Sequence, residues 1–397
     1  MKVLEINSVY HFGSTGKIVE NLQNYLVNHN NEVEVIYGRK RGNYSAKYVG
    51  NTIIMISDVI MSLLLDRHGL NNKLATKRII KIIESFDPDI IHLHNIHGFY
   101  LSYDVLLDYL TKKNKKVVIT LHDCWLLTGF CSHFEQINCE EWKTNNCRKC
   151  NVLKVYPYRF FALNHRENFL IKKEKLLAIK NLTLISPSEW MDNIVCHSFL
   201  KNKSHYVINN GINLEKFFPE NHNKIIEWKR KLNVENKKVL LGVANVWNKQ
   251  KGLEDFQQLC TLLDDEYVII LVGTNLIQKK KVKKKIICLP RTESIEELRL
   301  IYSSAEYFVN FTYQDTFPTV NIEALACGTP IISYRTGGCA EIVKDCGYLL
   351  EKGEFAQVPS LLKRNIKFNE DKCVARARAF DKKIMLRKYM NLFNGLI

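Results

Sequence analysis

Asp315 and Glu323 stand with seven residues between them in DTFPTVNIEALACGTPIIS, Asp315 to Ser333. Pro318 and Thr319 predict a helix start, Gly328 its end, and Pro330 the entry to the next strand. Asp315 then sits on the loop before the helix and Glu323 about one turn inside it, so both acids can face one cleft. The backbone N–H groups of Phe317, Thr319 and Val320 flank them. A carboxylate that accepts two ribose hydroxyls, beside donors that hold a diphosphate, makes an economical site for a nucleotide sugar. Helix capping alone accounts for one acid, not both. The TGG turn at Thr336 to Gly338 adds a second anion-facing turn.

Three further clusters follow candidate strands. In NVWNKQKGL, Lys249 and Lys251 precede a helix start near Gly252, so a cation and helix-end N–H groups converge as a diphosphate would require; lysines of a surface loop are the alternative. GSTGK, with Gly13 and Gly16, opens a helix after the first strand and suits a closely approaching phosphate, a plain Gly-rich turn being the alternative. It is not a Walker A loop, because His11 and Ile18 stand where Gly and Ser or Thr are needed. TLHD places His122 and Asp123 at a strand end next to HLHNIH, His92 to His97; His92 and His94 share one face of their strand. Separately, Cys131, Cys139, Cys147 and Cys150 close with a C-x-x-C. They predict a tetrahedral structural zinc stapling a loop insertion, with His133 as a substitute ligand. Unbound or redox-active thiols are the alternative.

These clusters need a scaffold that brings strand ends together. Short apolar runs at Val3–Asn7, Val33–Tyr37, Ile90–His94, Val117–Thr120, Thr183–Ser186 and Tyr206–Ile208 alternate with helical patterns. The rhythm restarts at Val239–Ala244, Tyr267–Val272, Ile286–Leu289, Tyr307–Asn310 and Pro330–Ser333. Such alternation predicts an α/β protein of parallel sheets covered on both faces. Two doubly wound domains are more economical than one eleven-stranded sheet. The expected limits are 1–208 for an N-terminal domain and 209–378 for a C-terminal one, joined within NNGINLEKFFPE. Residues 379–397 are expected as a helix packing back on the first domain. The apolar stretch Ile53–Leu65 reads as a helix whose ordinary place is the core, with contact to a membrane surface as the alternative.

Charge narrows the partners. With 57 Lys and Arg against 41 Asp and Glu, the formal charge of +16 favours an anionic ligand or surface. Nucleic acid is not expected, since no recognition motif or interleaved aromatics accompany the KKKVKKK run at Lys279 to Lys285. The longest apolar stretch, Thr52 to Leu65, falls short of the ~20 residues of a membrane span. No signal peptide is apparent at the N-terminus. A cytoplasmic protein resting on the membrane's inner face fits these features.

With these residues on the page, the sequence resembles GT-B glycosyltransferase family 4, the retaining, nucleotide-sugar-dependent group. The acid–seven residues–acid motif, GSTGK, the THD-like Thr120–Asp123, SPS (Ser186 to Ser188), NNGIN with Phe217 and Pro219, the Lys251–Gly252 pair, and TGG followed by Glu341 appear in the family's order. HLHNIHGFYLS and WLLTGFCSHF resemble its exopolysaccharide, colanic-acid-type branch. The resemblance implies two Rossmann-like domains facing across a cleft. It implies a UDP or GDP sugar donor, a lipid-linked oligosaccharide acceptor, and no cofactor for catalysis.

Carried onto this chain, the family pattern makes Glu323 the ribose ligand and Asp315 the ligand of donor-sugar hydroxyls. Lys251 becomes the diphosphate ligand and His122 the contact to the transferred sugar. Gly13 and Gly16 let the first loop approach phosphate and acceptor. Asp315 replaces the usual Glu, Val246 stands where the family has Arg, with Lys249 as a substitute cation, and Pro318 replaces a common Gly. A nucleotide-sugar epimerase of the same fold and a non-catalytic binding protein are the alternatives.

Overall fold

The computed structural model describes the chain except residues 41, 43, 145, 151, 152, 154, 277, 279–281 and 284, and the side chain of residue 136. Most of the lysine run at 279–285 therefore lies outside the described residues. The chain divides into two compact units, Met1–Asn209 with Leu386–Ile397, and Asn210–Met385.

The first unit holds strands β1 (Lys2–Asn7), β2 (Glu32–Tyr37), β3 (Lys47–Tyr48), β4 (Ile90–Leu93), β5 (Lys116–Thr120), β6 (Leu182–Ser186) and β7 (Ser204–Val207). They form one parallel sheet in the order β3-β2-β1-β4-β5-β6-β7. Leu4, Ile91, Ile119 and Leu184 line its core without solvent exposure. The second unit holds β8 (Lys238–Val243), β9 (Tyr267–Val272), β10 (Ile286–Leu289), β11 (Tyr307–Asn310), β12 (Ile331–Tyr334) and β13 (Gly347–Leu350). Their order is β10-β9-β8-β11-β12-β13, again parallel. In each sheet the order reverses beside the first strand, between β1 and β4 and between β8 and β11. A doubly wound sheet opens its ligand crevice at the carboxyl ends of such a pair.

Two edge strands, β3 and β13, were not foreseen. The first is only two residues with both side chains exposed, and the second starts on a glycine. After the Glu370–Arg378 helix the chain pairs with residue 212: Ile212 N–H donates to Phe380 O at 3.0 Å and Lys382 N–H to Ile212 O at 2.8 Å. The last helix, Lys382–Leu396, buries Tyr389, whose hydroxyl lies 3.0 Å from Thr120 Oγ1.

The Thr52–Leu65 helix contradicts its expected core placement. Asn51 caps it, its Oδ1 accepting from Ile53 and Ile54 N–H. The helix buries Asp58 and Ser62, and it exposes Ile53, Ile56, Ile60, Met61, Leu64 and Leu65. Polarity runs inverted because Asp58 Oδ1 is bound by Asn71 Nδ2 at 2.7 Å, and Ser62 lies on the same face one turn on. Burial lifts the Asp58 carboxyl to about 6, against the Asn71 hydrogen bond.

Candidate active site

In the second unit, the turn after β8 is a 3-10 turn, Lys249–Lys251, capped by Asn248, whose Oδ1 accepts from Lys251 N–H at 3.0 Å. Gly252 follows at φ +72°, and a Cβ there would stand 2.4 Å from Phe311 O. Only glycine lets this turn lie so close to the exit of β11. A backbone bond, Tyr313 N–H to Gln250 O at 2.8 Å, joins the two loops.

That approach sets the side chains. Lys251 Nζ lies 3.0 Å from Asp315 Oδ2 and 3.3 Å from Thr312 Oγ1. Asp315 Oδ1 accepts from Phe317 N–H at 3.2 Å. The Phe317 donor is therefore engaged by Asp315. Pro318 at the cap position supplies no side-chain acceptor to the Thr319–Ala326 helix. The first-turn N–H groups at Thr319 and Val320 stand at the positive end of the helix, before its intrahelical ladder begins. The TGG turn braces this loop from behind. Gly337 packs against Asp315 O so closely that a Cβ would stand 1.8 Å away, and Gly338 N–H donates to Thr316 O at 3.0 Å. Glu323 Oε2 accepts from the Tyr302 hydroxyl at 2.9 Å. Burial, reinforced by the Glu323 charge, pushes the Tyr302 phenol well above its ordinary range, so it stays a donor. Lys249 is exposed at the start of its turn.

In the first unit, Gly13 at φ +68° opens the Gly13–Val27 helix, and a Cβ on it would meet nothing within 4 Å. Gly16 is different, because a Cβ there would press on Tyr10 and His11 backbone at 3.3 Å. His122 joins a buried chain of polar groups. His122 Nε2 lies 2.9 Å from His94 Nδ1, and His94 Nε2 lies 2.8 Å from Glu5 Oε2. His92 Nδ1 approaches the same oxygen at 2.9 Å, while His92 Nε2 meets Thr120 Oγ1 at 2.8 Å. Beside them His97 Nε2 lies 2.7 Å from Asp123 Oδ2.

Electrostatics orders the protons. Burial would raise the Glu5 pKa, but His92 and His94 outweigh it and hold the carboxyl at about 2. Burial, then His92, depresses His94 to about 4 against the pull of Glu5, and burial with His94 sets His122 well below the usual imidazole range. An ionised carboxylate only accepts, so His94 carries its proton on Nε2. Its Nδ1 is then an acceptor, and His122 donates to it from Nε2. His122 is left neutral, with Nδ1 as its acceptor nitrogen. Sequence reasoning missed Glu5, Thr312 and Tyr302. Glu5 carried a signal, as the lone acid inside the apolar first strand.

The four cysteines lie between β5 and the His165–Ala178 helix, in the segment that His122 and Asp123 open, and none is in a disulfide. Among the described residues no helix is long and apolar enough to cross a membrane.

Comparison with known proteins assigns this architecture. Residues 15–216 match the family model described as Glycosyltransferase Family 4, and residues 224–378 match Glycosyl transferases group 1. The chain is 27% identical over 234 residues to an N,N'-diacetylbacillosaminyl-diphospho-undecaprenol alpha-1,3-N-acetylgalactosaminyltransferase of Campylobacter jejuni. That match covers 53% of this chain and 59% of the relative. A protein of Escherichia coli named for colanic acid biosynthesis glycosyl transfer is 31% identical over 142 residues, 34% of this chain and 33% of its own. The chain thus spans about a third to three-fifths of these relatives' lengths. Among solved structures, Anabaena HepE in complex with UDP-glucose aligns over 100% of both chains with a TM-score of 0.66 at 14% identity. With two parallel-sheet α/β units and both family matches, the chain belongs to the family 4, group 1 glycosyltransferases and has the GT-B fold.

Proposed function

We propose that the chain is a retaining glycosyltransferase that moves a sugar from a UDP- or GDP-linked donor to a growing, lipid-linked cell-surface polysaccharide. The observation that carries this reading is the 3.0 Å pairing of Lys251 with Asp315 where the second sheet reverses its strand order. A cation and an acid held together beside a helix start fit a diphosphate and a sugar hydroxyl, respectively.

Cleaving the anomeric C–O bond leaves an oxocarbenium-like sugar and loads negative charge on the departing diphosphate. Lys251, with the N–H groups at Thr319 and Val320, meets that charge in a fixed arrangement, which is worth several kcal/mol against the barrier. Lys249 adds a second cation. The diphosphate competes for Lys251, which releases Asp315 to the hydroxyls of the donor sugar. Glu323, oriented by Tyr302, takes the ribose hydroxyls. Neutral His122 offers Nδ1 to a hydroxyl of the transferred sugar, and Gly13 and Gly16 let their loop approach phosphate and acceptor. No divalent ion is needed in this reading. The Campylobacter relative is named for an undecaprenol-diphosphate acceptor, and this supports the lipid-linked acceptor proposed here.

The inverted Thr52–Leu65 helix supports a place on the cytoplasmic face of an anionic membrane. Ile53 is 79% exposed and Ile56 56%. Phe160, whose N–H donates to Leu63 O at 2.9 Å, extends the apolar surface with Phe161 and Leu163. A contiguous apolar patch on a chain of charge +16 fits an interfacial, non-spanning contact.

Incubation of the purified chain with a panel of UDP and GDP sugars, with and without lipid-linked oligosaccharide, tests the reading. Consumption of one donor only when acceptor is present, with the anomeric configuration kept in the product, is expected. Isomerisation of donor alone would establish the epimerase reading instead, and failure to bind any nucleotide sugar would leave a non-catalytic protein.

A further inference from the structure

Between the end of β5 at Thr120 and the helix starting at His165 runs a segment whose described residues contain no strand, only short turns and the four-residue Glu141–Thr144 helix. A connection of this length with so little regular structure needs something else to hold it. Trp125, Leu127, Phe134, Trp142 and Cys147 join the first unit's main core, while Phe130, Cys131 and Val155 form a separate small cluster.

Cys131, Cys139, Cys147 and Cys150 all line one cavity, together with Phe134 and Trp142. The open space amounts to about 10 Å³ for the centre of a water-sized sphere, the room one water or one ion occupies. The Cys131 and Cys150 thiols are hydrogen-bonded to each other. Two of the sulfurs already accept N–H donors, as metal-bound thiolates do. Gly129 N–H reaches Cys147 Sγ at 3.2 Å, and Arg159 Nη2 reaches Cys150 Sγ at 2.9 Å.

The surrounding charge points the same way. Lys172 is 1% exposed, and its ammonium donates to Trp125 O and Thr128 O at 2.7 and 2.8 Å and sits over the Trp125 ring. These partners are neutral. Arg159 is also buried, paired with Asp66. Buried cations call for anionic partners. Four thiolates around a dication leave a net negative charge beside Lys172, whose hydrogen-bond partners are neutral carbonyls, whereas Arg159 already has Asp66.

We propose that Cys131, Cys139, Cys147 and Cys150 bind one zinc ion that staples this segment. Binding replaces four S–H bonds by four S–Zn bonds and releases four protons, with no change of oxidation state. The four sulfurs ring the cavity, and no three of them lie within 4.8 Å of one another. The groups whose ligand atoms lie within 4.8 Å of one another among the described residues are Glu5–His92–His94 and Asp192–Cys196–His205. Neutral thiols have no reason to converge until a metal replaces their protons. Cys196 of the second group is exposed, so it serves as the control for adventitious binding.

Metal analysis of the full, tag-free chain purified under reducing conditions tests the proposal. One equivalent of zinc is expected, retained in Cys196→Ser and lost in Cys150→Ser. Because the variant can misfold, two measurements on the unaltered chain accompany it. Cobalt exchanged into the site should show the intense visible absorption of a tetrahedral thiolate centre, and releasing the metal should raise the count of rapidly reacting thiols by four. Less than a tenth of an equivalent of zinc, a Cys131–Cys150 disulfide in the non-reduced protein, or zinc lost with Cys196→Ser would overturn it. None of these readouts depends on donor binding or transfer.

Discussion

His122 Nε2 lies 2.9 Å from His94 Nδ1, and Glu5, on the far side of His94, is the fixed charge that sets the direction of this contact. A carboxylate in the middle of the sheet thereby decides which nitrogen of His122 accepts. The cost of removing it is calculable in kind. Glu5→Ala leaves buried imidazole N–H donors without their acceptor and should destabilise the first unit by about 1–3 kcal/mol, read from urea unfolding. A loss below about 1 kcal/mol would show that the chain of hydrogen bonds is not anchored there.

The same groups make the fold acid-sensitive. His94 has its pKa lowered to about 4 by burial, and His68 and His122 are lowered for the same first reason. Each stays neutral in the fold but takes a proton in the unfolded chain below about 6.5. Their contribution is present above about 6.5 and lost as pH falls toward the folded values. Glu5 extends the loss from about 4.5 toward 2, whereas Asp58, lifted from 3.8 to about 6, acts in the opposite sense, its contribution being lost as pH rises from about 3.8 to about 6. The urea midpoint should therefore be lower at pH 5 than at pH 7. An equal or higher midpoint at pH 5 would contradict the neutral-histidine assignment.

Gly252 tests the architecture beneath Lys251. Alanine there meets both a left-handed backbone and Phe311 O at 2.4 Å. Gly252→Ala should cost about 2 kcal/mol or more and separate Lys251 from Asp315. A variant of normal stability and activity would mean the loop does not depend on this close approach.

Ile56→Glu combined with Ile60→Glu places charge on the exposed face of the Thr52–Leu65 helix. Because both side chains already face solvent, stability should change by less than about 0.5 kcal/mol each. Flotation with anionic vesicles should fall sharply. Undiminished flotation would remove this helix from the membrane contact.

Much of the fold is legible in the sequence, and the reason is local. Tyr267–Val272 and Tyr307–Asn310 read as strands because strands buried on both faces are written as unbroken apolar runs. Lys47–Tyr48 leaves no such mark, having two exposed residues and only its neighbour β2 to define it. The Thr52–Leu65 helix is legible as a helix but not in its orientation. Nearly every position is apolar, so the outcome is set by Asp58 reaching Asn71, a contact between segments. Asp315 and Glu323 stand out by spacing, whereas their supports, Thr312 and Tyr302, are ordinary residues until the sheet places them. Glu5 became meaningful only when β4 came alongside β1 and set His92 opposite it.

The most direct measurement of the central claim is donor turnover by Lys251→Ala in a protein shown to be folded by its unfolding curve. If Lys251 holds the departing diphosphate, kcat should fall roughly 10²-fold or more. A rate within about twofold of the unaltered enzyme would contradict the assignment of the diphosphate to the Lys251–Asp315 site.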